Sequence, residues 1–243
     1  MRNSLILQVF VLLLAGAPMA FAQATTRPYV VHIPGIGGIL AVDNAMAKGL
    51  VQGGVNADIT MVDWSAGDRG IAALHARDRN ELEAGKVADM LVRRMETYPG
   101  SRVVLTSHSG GGAIAVWALE KLPAGDQVDD AFLMAPALSP GYDLSAALKH
   151  VRGKMYVFWS TGDELVLGIG CRMCGTMDGK LTDAAGRVSF SQPSSADADQ
   201  YKKLDQRAYD PAWVRLGNLG DHIGPMARLF AKAILAPLVI GPP

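Results

Sequence analysis

Three short segments carry residue types that could do nucleophilic chemistry together. The first, Arg102-Val-Val-Leu-Thr-Ser-His-Ser-Gly-Gly-Gly112, is an apolar run that enters a small-x-Ser-x-Gly turn. A serine exposed on a sharp strand-to-helix turn sits in strained backbone, so the positions two before and two after it must be small. Ser107 and Gly111 meet that need, which makes Ser109 the candidate nucleophile, and a helix N-terminus behind it favours developing negative charge. The second segment, residues 155–163 (MYVFWSTGD), reads as a strand that ends in small residues and an acid. A carboxylate there can accept the Nδ1 proton of a histidine and stabilise the imidazolium. It can equally cap the next helix, so Asp163 has two readings, and Asp143 in PGYD is the fallback acid. The third, GNLGDHIG (residues 217–224), sets His222 in a glycine-rich loop late in the chain. Of five histidines only His222 follows both Ser109 and Asp163; His75 and His150 lie in helical surroundings, His32 ends a strand, and His108 is expected to face away from the serine's side. Taken alone, the serine pentapeptide could be a plain tight turn. A phosphate-binding loop fails at residues 110–112 because no Gly-Lys-Ser/Thr follows. A dinucleotide fingerprint fails at residues 35–37 because Leu40 stands where the third glycine is needed.

Short β-branched runs alternate with longer helical patterns around these segments. Strands are expected over residues 29–33, 58–62, 102–106, 130–134 and 155–160. Helices are expected near 39–51, through Leu82, Val87, Met90, Leu91 and Met95 to a stop at Tyr98-Pro99-Gly100, from the serine turn to about Leu122, and over 144–151. Strands that are nearly continuous apolar runs, separated by helices, predict an α/β three-layer sandwich with a mostly parallel central sheet flanked by helices. Residues 163–221 are less regular, the polar stretch 191–199 reads as loop, and the last strand is not placed. No composition break divides residues 23–243, so they read as one domain.

The chain has 243 residues with 23 basic and 23 acidic side chains, 49% hydrophobic and 19% charged. Such a balance excludes intrinsic disorder and argues against nucleic acid as a partner, since phosphate binding needs clustered basic excess. Arg2, the apolar stretch from Leu5 to Ala17 and the small-residue pattern Ala20-Phe21-Ala22 read as a signal peptide over residues 1–22. The mature chain would then begin at Gln23, be periplasmic or secreted, and keep no membrane anchor. Export places Cys171 and Cys174 in an oxidising compartment, where they read as a local disulfide or as two small buried thiols. A zinc site would need ligands the sequence does not supply at metal spacing.

The order Ser…Asp…His with a serine turn and a strand-end acid resembles the α/β-hydrolase fold family, in particular bacterial secreted lipase/esterase-like serine hydrolases. The resemblance runs over the whole mature chain and is strongest at SHSGG, STGDELV and GDHIG, with APALSPGYDL also matching. It implies Ser109 as nucleophile, Asp163 as the acid and His222 as general base. It also implies an oxyanion hole from the backbone N–H of Gly110 and one from the loop after the first strand, with Ile36 the choice there. Two departures stand: Ser107 replaces the commoner glycine, and PGIGG replaces an HGGG pattern. The implied activity is cleavage of a small-molecule carboxylic ester or related acyl bond without metal or organic cofactor. A non-catalytic binding protein on the same scaffold, or an amidase or peptidase, is the alternative. Trp64, Tyr142 and Leu165 are the substrate-pocket candidates; Leu165, Leu167, Met173 and Met177 could line an acyl pocket, form a small lid or be core.

Overall fold

The computed structural model describes residues 27–65 and 67–241, so the expected signal peptide lies outside the described residues. Six strands form one sheet: β1 (Tyr29–Ile33), β2 (Asp58–Met61), β3 (Val103–His108), β4 (Asp130–Met134), β5 (Met155–Trp159) and β6 (Leu204–Ala208). Their order is β2-β1-β3-β4-β5-β6 and every pairing is parallel. Parallel neighbours need crossover connections, and helices supply them. These are α1 (Ala41–Gln52), the short α2 (Ile71–His75), α3 (Arg77–Thr97), α4 (Gly111–Glu120) and α5 (Ser145–Lys149).

Side chains alternate along each strand, so each face collects its own core. Val31, Ile33, Val103, Leu105 and Leu133 pack with α3 and α4 on one face. Val30, Val104, Phe132 and Phe158 pack on the other with α1 and the helical residues 228–240. On α3 the buried stripe is Ala84, Val87, Ala88 and Leu91, while Leu82 is exposed. Helix α4 is buried from Gly111 through Leu119, as a helix between sheet and outer helices must be.

The sheet grows in opposite directions from the β1–β3 pair, and ligands in such folds bind beyond the carboxyl ends of the strands at that point. Ser109 lies there. The unplaced strand is β6, LDQRA, at the edge of the sheet. Only one of its sides pairs, and its Arg207 and Asp205 form a partly exposed ion pair, so it carries no apolar run to read. Residues 163–188 hold a π-helical turn, Glu164–Gly170, followed by α6 (Cys171–Cys174) and α7 (Ala185–Val188). The polar stretch is mostly irregular but runs into α8 (Ala198–Tyr201), whose start Asp197 caps through its carboxylate. Among the described residues no helix is long and apolar enough to cross a membrane.

Candidate active site

The turn after β3 holds Ser109 at a φ of 54°, in the left-handed region that a residue with a Cβ enters at a cost of roughly 1–3 kcal/mol. The surrounding backbone fixes it. Its N–H donates to the Met134 carbonyl at 3.0 Å, and its own carbonyl accepts from Gly112 and Ala137. The neighbouring Gly111 explains the sequence pattern: a Cβ there would stand 2.3 Å from the carbonyl oxygens of Ile33 and Pro34. Helix α4 can therefore start this close to the end of β1 only with glycine at that position. Ser107, the small residue on the other side, is buried and its hydroxyl donates to the Phe132 carbonyl.

Across 113 residues of sequence, His222 Nε2 lies 2.9 Å from Ser109 Oγ. Its Nδ1 lies 2.6 Å from Asp163 Oδ2. A carboxylate only accepts, so Nδ1 carries the proton and the Nε2 lone pair faces the serine hydroxyl. Asp163 is 3% exposed and fulfils both of its sequence readings at once, because Oδ1 accepts the Leu167 N–H that opens the π-helical turn. Asp143 is exposed and accepts from the Ser145 N–H at the start of α5, away from His222.

The loop after β1 is held from three directions. The Trp64 indole N–H donates to the Pro34 carbonyl at 2.7 Å. Gly38 N–H donates to Gly35 O, and Gly70 N–H to Ile36 O at 2.8 Å. Gly35 packs on Ser109, and the Ile36 side chain packs on Gly110, where an added Cβ would come within 2.7 Å of Ile36 Cγ2. Among the described residues neither the Ile36 nor the Gly110 N–H donates to a protein acceptor. Behind the loop, His32 Nε2 meets Asp43 Oδ1 at 2.9 Å and Asp43 Oδ2 accepts the Leu40 N–H at 2.7 Å. Burial alone would raise the Asp43 pKa, but the hydrogen bonds from His32 and Leu40 outweigh it and hold the carboxyl below its usual value.

No protein-family model matches the chain, and no curated protein matches it by sequence. Solved structures do match it. Lipase B of Aspergillus fumigatus aligns at a TM-score of 0.51 and 15% identity, over 92% of this chain and 55% of its own. Esterase PE8 aligns at a TM-score of 0.50 and 14% identity, over 88% of this chain and 93% of its own. The chain has the α/β-hydrolase fold. It spans just over half the length of the lipase it matches.

In this α/β-hydrolase fold a cavity of about 190 Å³ opens beside Ser109, walled by Ile36, Leu74, Ala137, Leu167, Cys171 and Cys174 among others, with no charged side chain in its lining. The three substrate-pocket candidates lie elsewhere. Trp64 is fully buried; its indole is spent on Pro34, so it props the loop from below instead of lining the cavity. The Tyr142 hydroxyl accepts from the Trp117 indole and sits 3.1 Å from both Glu120 oxygens, at the far end of α4. Leu165 is 80% exposed; successive side chains on a helical turn diverge, so Val166 and Leu167 line the cavity in its place. Met173 is exposed and Met177 is core. Cys171 and Cys174 are unbonded thiols; burial and the nearby Asp163 push Cys171 up to about 12.

His108 also differs from expectation. It shares its sheet face with Met134, on the α1 side, and that face is where the His222 loop lies. Its Nε2 stands 2.9 Å from the His222 carbonyl oxygen, with the two rings 4.8 Å apart. A larger cavity, about 550 Å³, lies at the amino ends of β3, β4 and β5, between Arg102, Asp130 and Arg152. Arg102 pairs there with Asp130 and Arg152 with Asp129, the Lys154 ammonium donates to the Lys202 carbonyl, and the cavity is remote from Ser109.

Proposed function

We propose that the protein is a serine hydrolase that cleaves a carboxylic ester by acyl transfer to Ser109 and then to water. Ser109 Oγ attacks the ester carbonyl carbon while His222 Nε2 takes its proton. The Gly110 and Ile36 N–H groups receive the oxyanion, a role worth about 10²–10³ in rate for each donor in enzymes of known mechanism. Collapse of the tetrahedral adduct breaks the carbon–oxygen bond to the leaving alcohol, which takes the proton back from His222. Water then attacks the acyl-Ser109 ester, His222 acting again as base, and the carboxylic acid leaves. Asp163 holds the imidazole in the required tautomer and balances its charge. The acyl group occupies the apolar cavity beside Ser109.

The contacts at 2.9 and 2.6 Å that join a strained serine, an imidazole and a buried carboxylate carry this reading. The sequence supports an exported enzyme that loses residues 1–22 and acts in the periplasm or outside the cell. Hydrolysis of p-nitrophenyl acetate and butyrate by wild type, Ser109→Ala and His222→Ala tests the activity. Turnover by the wild type, with both variants near background, is the expected result. Equal turnover by wild type and Ser109→Ala would contradict it.

A further inference from the structure

The cycle above leaves out a second imidazole at the same site. His108 ends β3, immediately before the candidate nucleophile, and is 6% exposed. Its Nε2 faces the carbonyl oxygen of His222 at 2.9 Å, and the two rings lie 4.8 Å apart at 44°. A carbonyl oxygen only accepts, so His108 Nε2 carries a proton and donates it. Burial, and then the neighbouring His222, push the His108 pKa down to about 3, so the ring stays neutral and puts no second cation beside the base. The other titratable groups that act on it are Asp43 and His32.

The bond reaches across the molecule, and the rest of the His222 loop lacks that reach. The loop holds Gly217 and Gly220, both at positive φ, in a segment with little intrinsic stiffness. Among the described residues its other backbone bonds are local: Gly217 to Val214, Asn218 to Trp213, Gly220 to the Asn218 side chain, Gly224 to Asp221, Met226 to Ile223 and Ala227 to Gly224. The His222 ring is held by Asp163, and the His222 backbone is held to the sheet through His108.

We propose that His108 is a positioning residue, whose Nε2–H bond to the His222 carbonyl fixes the general base to the same turn that carries the nucleophile. The proposal rests on the reading of Ser109, His222 and Asp163 as one catalytic unit. With this bond the distance from Ser109 Oγ to His222 Nε2 is set by adjacent residues of one strand end. Without it, that distance depends on the glycine-rich loop and the Asp163 contact alone.

The test is the rate of Ser109 phosphonylation by a fluorophosphonate probe, which needs no knowledge of the natural substrate. The limiting rate, the half-saturating probe concentration and thermal unfolding are measured from pH 5 to 9. A hydrogen bond between neutral groups carries a few-fold to about tenfold in an equilibrium. His108→Phe, which keeps bulk and removes the donor, should therefore lower the limiting rate about 3–10-fold and leave half-saturation unchanged. His108→Gln, whose amide N–H reaches about as far as Nε2, should recover most of the rate, and the shorter His108→Asn should not. If His108→Phe does not fold, the Gln and Asn variants decide: equal limiting rates overturn the proposal. A folded His108→Phe with the wild-type limiting rate also overturns it. Failure of wild-type Ser109 to be labelled, judged against Ser109→Ala, overturns the serine-hydrolase reading and this proposal with it.

Discussion

At the residue scale, Asp163 divides its two oxygens between jobs, one for His222 and one for the Leu167 N–H. Asp163→Asn keeps a side chain of the same shape, but an amide placed with its nitrogen toward Nδ1 cannot accept that proton. Turnover of p-nitrophenyl butyrate should fall about 10³–10⁴-fold in a protein that still folds. Asp143→Asn, which touches only the start of α5 and Tyr201, should stay within about twofold of wild type. The reverse pattern would reassign the acid. That Ser109, Asp163 and His222 lie in contact could be expected from the sequence because turn chemistry restricts what surrounds such a serine, and because chain order then leaves one histidine. His108 was illegible, since its partner lies 114 residues away and is a backbone oxygen. The aromatic and aliphatic candidates misled for a simpler reason: Trp64, Tyr142 and Leu165 have the right chemistry for a pocket wall, but residue type does not say whether a side chain is core, bonded elsewhere or turned to solvent.

At the scale of elements, the segment from Asp163 through α6 builds one wall of the cavity, and Ala137, after β4, builds another. Glu164 anchors that segment through Arg172 and Arg187, and Asp183 faces the same two arginines. Ala137 is 5% exposed and adjacent to Ser109, so a larger side chain there takes volume from the cavity proposed to hold the acyl group. Ala137→Leu should lower kcat/KM for octanoate relative to acetate by about tenfold or more, since each misfitted methylene in an apolar pocket carries about 1–3 kcal/mol. A series of p-nitrophenyl esters from acetate to octanoate measures this, and an unchanged chain-length profile would place the acyl group elsewhere. Five strands were readable as short β-branched or apolar runs; β1, β3, β4 and β5 are largely buried, while β2, at the other edge of the sheet, is half-buried. The sixth was not, because an edge strand with Asp205 and Arg207 has one solvated side and needs no such run. The π-helical turn was hidden as well, since Gly168 and Gly170 interrupt its apolar residues.

At the scale of the whole molecule, the α/β layering follows from which strand residues face which helices; the sequence showed β1, β3 and β4 as continuous apolar runs, and the two faces separate only in the fold. The far end of α4 holds a polar group that matters to global stability. Burial raises the Glu120 carboxyl to about 7, although the Tyr142 hydroxyl bonds it and favours the ionised form. The fold thus prefers the protonated acid: its contribution to stability is full below about pH 4.5 and is lost as pH rises through about 7. Glu120→Gln should leave the Tm almost unchanged at pH 5 and raise it by about 2–4 °C at pH 8, the equivalent of roughly 1 kcal/mol in a chain this size. Identical Tm profiles for variant and wild type from pH 5 to 8 would show that this carboxyl ionises freely in the fold. Export rests on residues 1–22 and is a matter of sequence alone.

In the proposed cycle His222 makes Ser109 nucleophilic. Peptide mass spectrometry of the folded protein after reaction with a fluorophosphonate locates the reactive hydroxyl. We expect one adduct, on the peptide carrying Ser109, absent in Ser109→Ala and formed at least a hundredfold more slowly in His222→Ala. A folded wild-type protein that takes up no phosphonate, or takes it up on another residue while Ser109 stays unmodified, would overturn the assignment of Ser109 as nucleophile.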